Sequence, residues 1–275
     1  MKELDLYSFL TKKAKEIRRK TFEMVVRVGK GHLGGSFSVL EMLVALYYGG
    51  VLKFDPKNPK WDGRDIFILS KGHASNSLCV VLSDLGFFPE AELDNFSRNE
   101  SILGQHSDTN IPGVEINTGS LGHGIGVGSG IAFGNKLDNK NNLIFVILGD
   151  GECQEGSVWE AAMFAGHHNL NNLVAIVDRN KLGSEDFTEN TSRLEPFLGK
   201  WNDFGWEVKT INDGHSFPEI FEVLKNCRDP KRTKPLMIIS NTIKGKGLSC
   251  LENFPRAHHT VPRGEEIEAS RKELS

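Results

Sequence analysis

Apolar residues over the first 28 positions (Leu6, Leu10, Ile17, Met24, Val28) fall at helical spacing with basic residues between them, which predicts a long amphipathic helix. A second helix is expected after Ser36, read as an N-cap with Glu41 and Met42 in the early turns. The pattern then changes. Short apolar runs recur at 66–69, 143–148, 173–177, 206–208 and 236–239, most of them bounded by Gly, Asp or Asn. Helix-like stretches lie between several of them, at 75–85, 125–135, 158–168 and 217–224. Strands without polar alternation, separated by helices, imply a mainly parallel sheet covered on both faces, a doubly wound α/β fold. The stretch from Arg263 is polar and charged, so residues 1–262 are expected to form the domain. Residues 263–275 are expected as a surface extension or the start of a linker.

Composition narrows the partners more than the fold. A formal net charge of -3 over 275 residues argues against nucleic acid or an acidic membrane surface as the main partner. The apolar runs are far too short to span a bilayer. Residues 1–20 mix Lys, Arg and Glu throughout and do not resemble a signal peptide. Cys79, Cys153, Cys227 and Cys250 have neither metal-type nor disulfide-type spacing, which fits a reducing compartment and a cytoplasmic location.

Candidate chemistry begins where the 143–148 run ends, in Gly149-Asp150-Gly151. Asn180 lies thirty positions after Asp150, beyond the next strong strand. Both therefore fall past the C-terminal ends of neighbouring strands, where open parallel sheets bind ligands. Mg²⁺ takes near-octahedral oxygen coordination from one or two protein groups together with phosphate oxygens and water. The Asp150 carboxylate, the Asn180 amide oxygen and a nearby main-chain carbonyl would supply one face of that octahedron. Gly149 and Gly151 allow close approach to a phosphate, and the helix that follows would offer backbone N–H groups. Gly-Asp-Gly alone is more often a plain turn; the Asn at its offset behind a second buried strand favours the site. Neither a dinucleotide Gly-x-Gly-x-x-Gly in the required context nor a P-loop is present.

Four more segments join this pair: Gly31-His32-Leu33-Gly34-Gly35-Ser36, Ser70-Lys71-Gly72-His73-Ala74-Ser75, Gly104-Gln105-His106 with Thr118-Gly119-Ser120-Leu121-Gly122-His123-Gly124, and Lys244-Gly245-Lys246-Gly247 followed by His258-His259. In order, spacing and neighbouring residues the set resembles the N-terminal, diphosphate-binding part of transketolase over essentially the whole chain. The resemblance implies thiamine diphosphate with Mg²⁺ (or Ca²⁺ or Mn²⁺ in its place), held by Asp150, Asn180 and the main-chain oxygen of Leu182. It implies that Gly149, Gly151, Glu152 and His73 surround the diphosphate. Leu121, beside Gly119 and Ser120, is similar to the stretch whose backbone helps hold the aminopyrimidine. His32, His106 and one of His258 or His259 resemble histidines lining the channel to the thiazolium carbon. Glu155 resembles a carboxylate reaching towards a glutamate of the partner subunit, and Lys244 a basic residue near the mouth of the site. Imidazoles suit ketol transfer because they donate and accept protons near neutral pH.

Three departures stand out. His123 replaces a common Gln, which adds a titratable group near the aminopyrimidine site. The last histidine pair reads Ala257-His258-His259-Thr260, leaving open which imidazole faces inwards. Cys153 in the diphosphate loop reads as a small apolar filler, and His123, His167, His168 and His215 as structural. A full-length transketolase also carries a pyrimidine domain with its glutamate and most sugar-phosphate contacts. The resemblance therefore implies half a site, inactive until a C-terminal subunit joins it, in an assembly expected to be a heterotetramer. Sugars or sugar phosphates would be the substrates. The same mechanism on a branched or sulfonated sugar, the α subunit of a 2-oxo-acid dehydrogenase, and a non-catalytic homologue are the competing readings.

Overall fold

The computed structural model describes residues 3–275. The long amphipathic stretch forms α1 (Glu3–Val28), which buries Leu10, Ala14, Ile17, Thr21 and Val25 along one stripe; Met1 and Lys2 lie outside the described residues. Acidic Glu3 and Asp5 in its first turn and Arg27 in its last complement the helix dipole. Two short helices follow, α2 (Leu33–Ser38) and α3 (Leu40–Tyr48). The expected Ser36 cap is therefore corrected: Ser36 sits inside α2, buried, its hydroxyl 3.5 Å from Asn76 Oδ1. Gly34 explains the earlier start. A Cβ there would lie 2.7 Å from the Ala257 carbonyl oxygen, and its own carbonyl accepts the Gly245 N–H at 2.9 Å. The chain folds early to make that close approach.

The remaining elements are β1 (Ile66–Leu69), α4 (Ser75–Asp84), α5 (Gly124–Leu137), β2 (Ile144–Gly149), α6 (Gly156–His167), β3 (Leu173–Arg179), α7 (Thr188–Thr191), α8 (Phe197–Asp203), β4 (Glu207–Ile211), α9 (Phe217–Leu224), β5 (Leu236–Asn241) and α10 (Glu265–Glu273). The five strands form one sheet in the order β1-β2-β3-β5-β4, and every pairing is parallel. Alternation is hidden in the sequence because both faces are apolar. Phe67, Leu69, Phe145, Ile147, Val174 and Ile176 point into one core with α1, α3 and α4. Ile66, Ile68, Ile144, Val146, Leu148, Ala175 and Val177 point into a second core with α5, α6 and α8. The period of two survives, sorted between two hydrophobic partners.

Strand β4 starts and ends later than its apolar run. Trp206 belongs to the turn before it, where its indole N–H donates to the Ala162 carbonyl at 2.9 Å. The strand then continues through half-buried Lys209 and exposed Thr210, as an edge strand can. The polar stretch from Arg263 folds as α10: Ile267 packs against the first core, Leu274 is buried, and Arg271 forks onto the Glu23 carboxylate of α1 with two contacts of 2.8 Å. No helix among the described residues is long and apolar enough to cross a membrane.

Candidate functional site

The loops leaving β1, β2, β3 and β5 converge on a cavity of about 390 Å³ at the C-terminal ends of the strands. After β1 come Lys71 and His73; after β2, Gly149, Asp150, Gly151 and Glu152; after β3, Asn180 and Leu182; after β5, Lys244. His32 and Gly35 from the start of α2, Leu121 from the loop before α5, and His258 with His259 complete the wall. A larger polar groove beside Asn172 and Arg232 lies before the strands begin, at the end of the sheet that carries no such loops.

The oxygen donors come together at the β2 and β3 ends, which the Asp150 N–H to Asp178 carbonyl bond of 3.3 Å ties side by side. The Asp150 carboxylate is buried, accepts the Gly151 and Lys181 N–H groups, and stands 3.3 Å from the Arg179 guanidinium. Burial, with the Asp178 charge nearby, pushes its carboxyl up to about 6. A carboxylate held in that condition on a cavity wall is one that a bound cation would favour as the anion. Asn180 Nδ2 donates to Asp178 Oδ2 at 3.1 Å, so its Oδ1 turns the other way, where the Leu182 N–H meets it at 3.1 Å. Two oxygens and the Leu182 main chain on one cavity wall form a hard donor set that fits Mg²⁺.

Two buried carboxylates hold these loops. Asp178 accepts from Ser38, Lys71, Asn180 and Thr242, joining the α2–α3 junction to the ends of β1, β3 and β5. Burial alone would raise its carboxyl, but the Lys71 ammonium and the hydrogen bonds from Lys71, Ser38 and Thr242 hold it below the usual range. Glu152 accepts from the Ser70 hydroxyl and from the Gly122 and Gly149 N–H groups at 2.9 and 3.0 Å. Its carboxylate is thus spent on tying the Gly119–Gly122 loop to the diphosphate loop, although the residue lines the cavity.

Imidazoles crowd the other wall. His32 lies with ring centroids 5.0 Å from His73, 5.7 Å from His106, 5.2 Å from His258 and 4.8 Å from His259. Burial, then the neighbouring imidazoles, pushes His32 down to about 3 and His73 to about 4. Burial and the Lys244 ammonium push His258 to about 2, and His106 is also lowered by burial. These rings are neutral at pH 7, each able to donate from one nitrogen and accept at the other. Burial likewise pushes Lys244 down to about 8; its ammonium donates to the Leu182 and Gly183 carbonyls.

The structure brings most of the expected residues to the cavity, and both His258 and His259 line it. His106 is more exposed and faces an adjoining groove, yet its ring packs 4.5 Å from that of His73. Gly119 (φ +136) lies under the same ring: a Cβ there would sit 3.0 Å from His106 Cδ2. Ser120 and Glu155 are exposed beside the cavity, and His123 is exposed at the α5 start. Cys153 is buried with its thiol pushed well up by burial, 3.4 Å from the Gly149 carbonyl, a filler as expected. His215 bridges the Glu41 carboxylate at 2.8 Å and the Ile243 N–H at 2.9 Å, a structural role. Lys71 and Asp178 are not singled out by the sequence. Their one signal is position: charged residues at the ends of two apolar strands.

Comparison with known proteins agrees with this geometry. The family model "Transketolase, thiamine diphosphate binding domain" matches residues 10–275. The chain is 42% identical over 251 residues to the 6-deoxy-6-sulfo-D-fructose transketolase subunit SqwG of Clostridium sp. (strain MSTE9), covering 91% of this chain and 90% of that protein. It is 40% identical over 258 residues to an apulose-4-phosphate transketolase subunit of Phocaeicola vulgatus, covering 94% and 91%. It superposes on the crystal structure of transketolase from Campylobacter jejuni with a TM-score of 0.91 and 32% identity, over 97% of this chain but 43% of that one. The chain belongs to the transketolase family, as its N-terminal, thiamine diphosphate-binding domain.

Proposed function

We propose that this chain is the N-terminal subunit of a two-chain transketolase, transferring a two-carbon ketol unit from a ketose to an aldose with thiamine diphosphate and Mg²⁺. The observation that carries this reading is the meeting of Asp150, Asn180 and Leu182 with His32, His73, His258 and His259 around one cavity at the strand ends. Asp150, Asn180 and the Leu182 carbonyl would hold the metal. Gly149 and Gly151 lack side chains that would crowd the diphosphate. Leu121 would touch the aminopyrimidine through its backbone, and Gly119 and Ser120 shape the turn before it. Thiamine diphosphate, when bound, supplies the electron sink on which carbon–carbon bond cleavage depends. The chain's own part is to orient the sugar and move protons. Imidazoles of His32, His106 and His258 or His259 would donate to and accept from substrate hydroxyls, and the burial of His32 limits bulk water at its ring. Glu155, exposed beside the cavity, would reach a glutamate of the partner.

The remaining half of the site would come from a C-terminal subunit carrying the pyrimidine domain, in an αβ pair doubled to a heterotetramer. The four cysteines are unpaired, which fits a cytoplasmic location. The relatives at 42% and 40% identity carry the names of sulfofructose and apulose-4-phosphate transketolases, so unusual sugars are the favoured donors over xylulose 5-phosphate. The test is to mix the chain with the product of the neighbouring open reading frame, Mg²⁺, thiamine diphosphate and an acceptor aldose phosphate, which takes up the two-carbon unit. Released aldehyde product would then be measured with sulfofructose, apulose 4-phosphate and xylulose 5-phosphate. Turnover of none of them, or CO₂ released from a 2-oxo acid instead, removes the proposal.

A further inference from the structure

His32, His73 and His258 come from three separate stretches, yet each brings a ring nitrogen to within 4.8 Å of the other two. Their ring centroids form a nearly equilateral triangle with sides of 5.0, 5.2 and 5.2 Å. His32 is 3% exposed, and its Nδ1 is buried with no hydrogen-bond partner. A buried imidazole nitrogen left bare in this way calls for a ligand.

We propose that this triangle is a second metal site, separate from the oxygen donors at Asp150 and Asn180, and selective for a borderline divalent transition ion such as Zn²⁺. Three neutral nitrogens and no carboxylate make a poor Mg²⁺ site but a good one for Zn²⁺, Co²⁺ or Ni²⁺. Three protein ligands with the fourth position open to a cavity is the arrangement of exchangeable zinc sites. Tetrahedral bonds of about 2.0–2.1 Å place ligand nitrogens about 3.4 Å apart, so the ring nitrogens, within 4.8 Å of one another here, must draw together. His32 is the fixed corner, its backbone N–H donating to Asn76 Oδ1 at 2.8 Å. The half-buried His73 and His258 are the rings with room to swing. The Lys244 ammonium near His258 opposes a dication, while the Asp150 and Asp178 carboxylates acting on Lys244 offset it. Binding does not require the ketol-transfer reading. If that reading holds, the ion occupies imidazoles that otherwise face the diphosphate (His73) and the sugar hydroxyls (His32 and His258), and Zn²⁺ is an inhibitor that cofactor and substrate displace.

The experiment uses the full chain with Cys250 replaced by Ser, because an exposed thiol also takes soft ions. Mg²⁺ is kept in excess to fill the oxygen site. Co²⁺ is then titrated in and its visible d–d absorption recorded. The expected result is an intense four-coordinate band at one equivalent, displaced by Zn²⁺, unchanged in Asp150→Ala and abolished in His73→Ala and His258→Ala. Zn²⁺ affinity should fall in these two by more than the roughly 100-fold that loss of an outer hydrogen-bond partner costs. Thermal melts establish that each variant is folded, and His73→Gln replaces His73→Ala if it is not. No such band, a band that survives both histidine substitutions, or a band lost in Asp150→Ala overturns the proposal.

Discussion

At the scale of single residues the decisive group is one that does not line the cavity. Asp178 gathers four donors from four loops, and the ion pair it makes with Lys71 is almost wholly buried. Removing one member of a buried pair leaves the other charged and unpaired, at a cost of about 3–5 kcal/mol. Asp178→Asn should therefore lower the unfolding free energy by that amount in urea melts. It should also weaken Mn²⁺ binding, because nothing then forces the Asn180 amide to turn its oxygen towards the cavity. Wild-type stability in this variant would rule out the hub. Lys71→Met combined with Asp178→Asn should cost less than the two single changes added together. The histidines allow a second prediction. His32 titrates near 3 in the fold and near 6.5 when unfolded. The unfolded chain thus binds the extra proton first. Stability from the neutral ring is complete above about pH 6.5 and declines as pH falls, by up to about 1.4 kcal/mol per pH unit. In buffers containing a chelator, His32→Gln should flatten the stability–pH curve between about pH 6 and about pH 4. Parallel curves would contradict the buried neutral imidazole.

At the scale of elements, the sheet was legible because five short apolar runs, most of them closed off by turn residues, are too brief for helices and too apolar for surface loops. Helix α9 and strand β1 fall where their patterns place them. The misread parts share a cause: long-range contacts overrode a local signal. Ser36 has the chemistry of a cap, but the approach of Gly34 to Ala257 sets the helix start four residues earlier. Strand β4 has too few apolar residues to reveal its length, since an edge strand needs burial on fewer sides. Helix α10 is polar over most of its length and gains its place from Leu274 and the Arg271–Glu23 pair, contacts with residues far back in the chain. The same dependence on contact makes Gly166 critical. It lies in α6, and a Cβ there would come within 1.8 Å of the Phe204 carbonyl oxygen. Backbone cannot yield as a side chain can, so Gly166→Ala should cost about 1–3 kcal/mol or more by overpacking. Its urea midpoint should fall while the far-UV spectrum stays helical; an unchanged midpoint would mean α6 and the 204–205 turn are not in tight contact.

At the scale of the whole molecule, the surface outside the cavity matters as much as the cavity itself. It spans 43% of the transketolase chain from C. jejuni that it superposes on, so its histidine-lined cavity is built on less than half of such a chain. Beyond the cavity, α5 and α6 expose apolar side chains beside glycines. Val127, Met163 and Phe164 are 40%, 56% and 38% exposed, and Gly126, Gly130 and Gly134 have open space where side chains would stand. Exposed apolar side chains next to bare helix backbone suit close packing against another helix, and the partner chain proposed above is the occupant that also completes the site. Met163→Lys tests this without touching the cavity. Its side chain is mostly in solvent, so the melting temperature of the isolated chain should change by no more than surface substitutions do, within about 0.5 kcal/mol in stability. Binding of the partner should weaken at least tenfold, since a lysine would be desolvated at the centre of the contact. Turnover, absent from either chain alone, should still reach the wild-type maximum when enough partner is added. A variant that assembles normally would place the partner on another face; one that assembles but does not turn over would implicate α6 in the chemistry itself.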